Sequence, residues 1–205
     1  MTHPRSRPAL SHPISLEPVD DLVGTAAELA QRHLDMPALA NRWRHVQAVA
    51  QRAGQLVAAV DLADRNLLVA AAWLHDIGYA PELTQTGMHA IDGAHHLLRS
   101  DFPLRLAALV AHHSGARFEA GERGLTHALD EFMLEDGPVP DALATADLTT
   151  GPQGQAMTFD ARMTEILHRY PPHSPVHQAM LQARPTLAVQ VRHTTDRLRR
   201  TNTAR

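Results

Sequence analysis

Five places in this 205-residue chain carry side chains able to hold a divalent cation. They are His45, the adjacent pair His75 and Asp76, His89, the adjacent pair His112 and His113, and Asp147. All are imidazoles or carboxylates, the ligand types that bind divalent transition metals without sulfur. The chain has no cysteine. That excludes a disulfide framework, a thiolate site and a cysteine nucleophile. Histidine is the abnormal count, at 15 residues, although His3, His12, His173 and His177 fall in stretches that read as tail or loop. A His-Asp dipeptide alone is common by chance. Its setting gives it weight.

His75 and Asp76 follow the apolar run LLVAAAWL and precede Gly78. A helix apolar all round belongs in the middle of a fold. A carboxylate there is costly unless paired or bound to metal, and the neighbouring imidazole also needs a partner. Adjacent helical residues point about 100° apart, so the pair can grip one ion from two sides or bridge two. His45 lies in helical register with Val49, Leu56 and Val60, which turns it toward the core. Asp147 sits in ALATADLTT, and His112 and His113 close LRLAALVAHH, both apolar settings.

The elements that must position these groups read as helix after helix. The expected spans are residues 21–34, 37–60, 65–77, 88–99, 103–113, 125–135, 140–148, 159–170 and 175–199. The start signals are Asp20 or Asp21 as a cap, Pro37 at a first turn, and Ser174 before Pro175. Gly78 reads as a left-handed cap, and residues 114–123 as a loop. No segment alternates like a strand. Aromatics are only 4% against 44% hydrophobic residues, so Ala, Leu and Val must build the core. Ala and Leu above all favour helix packing.

One domain is the natural expectation for this length: a flexible tail over residues 1–19 and a helical domain over 20–200. Its site core would span about 37–150, with amphipathic C-terminal helices over 158–199 that complete the domain or form a homodimer contact. There Arg162, Glu165 and Arg169 read as a polar face. The formal net charge of -3 lacks the basic signature of a nucleic-acid binder. All 19 basic residues are arginine. Any phosphate clamp must then be Arg, His, backbone N–H or metal. Arg42, Arg44, Arg117 and Arg123 lie near the ligands in sequence. No membrane segment or signal peptide is read, and a cytoplasmic location is expected.

The ordered set resembles the HD-domain superfamily of metal-dependent phosphohydrolases. The resemblance rests on His45, the HDIGY string with His75 and Asp76, His89 in MHAIDGA, AHHS, and Asp147 in TADLT. It covers roughly residues 37–150 and implies an all-α, single-domain helical bundle. It also implies a first metal on His45, His75, Asp76 and Asp147. A second metal would be shared through Asp76 and held by His89 and His112, with His113 as a further candidate, at least one of that pair binding. The ion, whether Fe, Mn, Mg, Zn, Co or Ni, is left open. The implied activity is hydrolysis of a phosphoester or phosphoanhydride in a small nucleotide or phosphorylated metabolite by metal-activated water. Asp76, His89 and His112 would be the catalytic groups, and Arg42, Arg44 and Arg117 would hold substrate. The chain lacks the GYP extension of cyclic-di-GMP enzymes. Two other readings stand beside this one. A di-iron oxygenase of the same superfamily commonly uses a lysine at the substrate, and this chain has none. A regulator that binds metal or nucleotide without turnover is the third class.

Overall fold

A computed structural model describes residues 21–203. The expected N-terminal tail lies outside the described residues. The first helix, α1 (Leu22–Leu34), is capped by Asp21, whose carboxylate accepts the Gly24 N–H at 2.7 Å. It is followed by α2 (Ala40–Leu56), α3 (Arg65–Leu74), α4 (His89–Arg99) and α5 (Leu104–Ala111). The second half holds α6 (Ala116–Arg123), the single turn α7 (Thr126–Leu129), α8 (Pro138–Leu148), α9 (Phe159–Arg169) and α10 (Pro175–Thr203). No named strand occurs among the described residues. One isolated antiparallel bridge joins Thr150 to Ala156. The fold is all-α, as the composition required. No described helix is long and apolar enough to cross a membrane.

Helix α3 is central and packs against α1, α2, α5 and α8. Its Leu68, Ala70, Ala71, Ala72 and Leu74 are buried. Alanine on so many faces lets neighbouring helices approach closely. A second, smaller apolar cluster lies between α8, α9 and α10, built on Leu148, Met163, Ile166, Ala183 and Leu187. Buried Asp141 on α8 ties α10 in place, accepting from Arg197 at 2.7 Å.

Several boundaries differ from expectation for physical reasons. Helix α3 stops at Leu74, and Ile77–Tyr79 form one 3-10 turn. Gly78 is not among the positive-φ glycines, so it does not cap by a left-handed turn. It permits contact instead. A Cβ there would collide with the His89 carbonyl oxygen and lie 2.6 Å from the Gly93 nitrogen. This backbone-to-backbone approach seats α4 against the turn after α3. Residues 116–123 form a helix rather than a loop, bracketed by the left-handed Gly115 and Gly124. The helix expected over 125–135 is only the turn α7, Thr126–Leu129.

A candidate metal centre shared by one carboxylate

The turn after α3 delivers His75 and Asp76 into the middle of the protein, where both are buried. His45 comes from α2 and Asp147 from the last turn of α8. His89 is the first residue of α4, brought in by the Gly78–Gly93 contact. His113 follows the end of α5, at a turn where Ser114 (φ 47°) and Gly115 (φ 81°) are left-handed. A left-handed non-glycine costs about 1–2 kcal/mol. Here that conformation aims the Ser114 hydroxyl at Asp147, to which it donates.

The two oxygens of Asp76 face two groups. Oδ2 lies 3.3 Å from His75 Nε2 and 3.7 Å from His45 Nε2. Oδ1 lies 3.4 Å from His89 Nε2 and 3.8 Å from His113 Nε2. His45 Nε2 also stands 3.1 Å from Asp147 Oδ1, and the His89 and His113 Nε2 atoms are 3.3 Å apart. Donor atoms bound tetrahedrally at about 2.1 Å sit about 3.4 Å from one another. Both triads, His45–His75–Asp76 and Asp76–His89–His113, are compact enough for an ion.

The tautomers fit as well. His45 Nδ1–H donates to the Gly151 carbonyl at 3.0 Å, His75 Nδ1–H to Ala72 at 2.8 Å, and His113 Nδ1–H to Val110 at 2.6 Å. A carbonyl only accepts, so in each neutral ring the proton sits on Nδ1 and Nε2 presents its lone pair to the centre. The His75 Nε2 atom is buried with no hydrogen-bond partner. A buried ring nitrogen without a hydrogen-bond partner, 3.3 Å from a carboxylate and beside other imidazoles, is the observation that best matches cation binding.

The electrostatics agree. Burial alone would raise the Asp76 carboxyl, but Arg42, His75 and His89 outweigh it and hold it well below the usual carboxylate range. Asp147 is likewise lowered against its burial, by His45, His75 and Arg162. Burial pushes His89 down to about 3; Asp76 opposes this, and His113 and Arg42 add to it. Burial also lowers His113. Both imidazoles are then neutral near pH 7, the state a ligand needs. That state does not suit His89 to the role of proton donor.

The structure separates the pair His112 and His113. His112 caps α5 and turns away, its Nε2–H donating to the Phe132 carbonyl at 2.8 Å. It lines a different cavity, together with Arg117. Arg44 also points elsewhere, bonding Asn41 at 3.0 Å, and Arg117 lies over the Phe118 ring. Arg42 does reach the centre. It donates to Asp76 Oδ2 and sits 3.9 Å over the Tyr79 ring, which in turn stacks on His89. Asp92, on α4, accepts from Thr86 N–H and Oγ1–H and from Gly87 N–H, fixing the loop ahead of His89. The expected polar face of α9 is partly inside: Arg162 is buried at the rim of Asp147. Its sequence signal is its place four residues before Ile166, a cation in register with an apolar face.

An HD-domain family model matches residues 42–148. That is just over half of the chain and spans His45, His75, Asp76 and Asp147; the chain belongs to the HD-domain family. The family consists mostly of metal-dependent phosphohydrolases. Helices α9 and α10 fall outside the match. No curated protein and no solved structure matches the chain.

Proposed function

We propose that the protein is a metal-dependent phosphohydrolase that cleaves a phosphoester or phosphoanhydride bond in a small nucleotide or phosphorylated metabolite. The observation that carries this reading is the single carboxylate, Asp76, with one oxygen on each of two imidazole groups. His45, His75, Asp76 and Asp147 would hold one divalent cation; Asp76, His89 and His113 would hold a second. Cations bound there would lower the pKa of a water and neutralise charge growing on a phosphoryl oxygen.

The chain's own residues prepare that chemistry. Asp147 is held by the Ser114 hydroxyl, which donates to its carboxylate and fixes its orientation. Arg42 stands at the mouth with its guanidinium stacked on Tyr79, placed to donate to a phosphoryl oxygen. The open side is walled by Tyr170, Ile166, Val176 and Met180, a surface suited to a base or another ring. The reaction breaks a P–O bond, joins the water oxygen to phosphorus and gives the water's proton to the leaving oxygen or solvent.

A phosphate-release screen over nucleotides and sugar phosphates, with protein loaded by Mn, Fe, Co, Zn, Ni or Mg, tests the reading. Metal-dependent phosphate release supports it. Oxygen uptake without phosphate release points to a di-iron oxygenase. Tight nucleotide binding without product points to a regulator, and either result overturns it.

A further inference from the structure

Helix α9 is not part of the matched family region, yet it forms one wall of the site. We propose that Arg162 and Arg169 on this helix form an oxyanion subsite beside the cations, holding phosphoryl oxygens of the substrate that the cations leave free. The proposal rests on the phosphohydrolase reading above and adds the residues that would select for a phosphoryl group in this chain.

Arg162 is 4% exposed. A guanidinium so deeply buried needs its donors paired. Only part of that need is met by the protein. Nη1 donates to Glu165. Nη2 stops 3.8 Å from Asp147 Oδ1, beyond hydrogen-bond reach, and Nε is buried with no partner. The side chain lines the same cavity as Asp76, His89 and His113. Arg169 lies two turns further along α9 at the cavity rim. It is aligned by the same carboxylate, with Nε 3.1 Å from Glu165 Oε1 and Nη2 3.2 Å from Oε2. Glu165 thus orders two guanidiniums and can neutralise only one.

The protein's own charges at the cavity balance, so bound cations would set its sign. Arg42, Arg162 and Arg169 all reach this cavity. Asp76, Asp147, Glu119 and Glu165 are the nearby carboxylates, and Glu119 is paired with Arg123. Loading divalent cations on the histidines makes the site strongly positive. A tetrahedral oxyanion answers that excess and offers acceptors to planar guanidinium forks.

Titration of metal-loaded protein with inorganic phosphate, followed by calorimetry, tests the subsite, with metal content measured on every sample. Wild-type protein and Arg199→Gln, an exposed control, are expected to bind phosphate alike. Arg162→Gln is expected to weaken binding roughly ten- to hundredfold, the loss typical of a charge-assisted hydrogen bond, with metal content unchanged. Arg169→Gln, at a partly exposed position that does not threaten folding, is expected to weaken it about threefold or more. Arg162→Lys keeps the charge and stem and should fall between wild type and Arg162→Gln. Unchanged phosphate affinity in both glutamine variants overturns the subsite and leaves the phosphohydrolase reading standing. Loss of metal in Arg162→Gln overturns it too, since Arg162 would then serve to hold Asp147. Wild-type protein that neither binds phosphate nor releases it from any ester overturns both readings.

Discussion

The two halves of the centre are built differently, although they share Asp76. On one side His45, His75 and Asp147 come from the middle and ends of the core helices α2, α3 and α8, and all are buried. Both rings are locked through Nδ1 to backbone carbonyls. On the other side His113 is locked the same way, but His89 is held by stacking on Tyr79 and by a contact between two glycine-bearing segments. One half is a by-product of core packing. The other hangs on turns. The first should therefore persist under changes that empty the second, and the reverse should not hold.

His75→Ala should break that comparison most severely. It removes the orphaned Nε2 from the inner half and should take phosphate release to background with no ion left per chain, as read by elemental analysis. An outer half that keeps its ion once the inner half is empty would contradict the asymmetry.

Gly78→Ala acts on the outer half alone. The new methyl group meets α4 backbone that has no flexible end to move. A stability loss of about 1–3 kcal/mol is expected from such overpacking, measured by denaturant melts. The second ion should be lost while the first stays. Wild-type stability and two ions would show that the glycine contact does not set His89.

Acid should have a smaller, graded effect, best read on metal-free protein. His89 and His113 have lowered values in the folded chain. The unfolded chain therefore binds more protons below about pH 6.5, and stability falls as pH falls through the window down to about 3 for His89. The slope should approach about 1.4 kcal/mol per pH unit for each displaced proton. Asp76 and Asp147, both lowered, add further loss below about pH 4. His75 is raised, with burial opposing and Asp76 prevailing. Its contribution is complete below about pH 6.5 and fades only as pH rises. Stability flat from pH 7 to 4 would contradict the neutral outer histidines.

Much of the inner half was legible in the sequence, because each ligand sits where an apolar helix face or end turns polar. His45 in register with Val49 and Leu56, and Asp147 inside an alanine-rich run, needed no tertiary knowledge. Choosing between His112 and His113 did need it. Consecutive residues at a helix end diverge, and the left-handed Ser114 turn decides which one faces inward. Gly78 has the spacing of a helix cap, yet its contact partner is a helix that begins eleven residues later. Arg162 follows Asp147 by a loop and part of a turn, and nothing local says that α9 folds back over the centre. Its neighbours Glu165 and Arg169 make it look like an ordinary solvated face. The helicity of residues 116–123 likewise goes with the positive φ of Gly115 and Gly124, which packing decides.

The bridging role of Asp76 is tested most directly by counting ions. Metal-free wild type, His89→Ala and Asp76→Ala, each confirmed folded by circular dichroism, would be titrated with one divalent metal and their stoichiometries compared. Two ions per wild-type chain, one in His89→Ala and none in Asp76→Ala is the expected result. An Asp76→Ala protein that binds as many ions as wild type would contradict it.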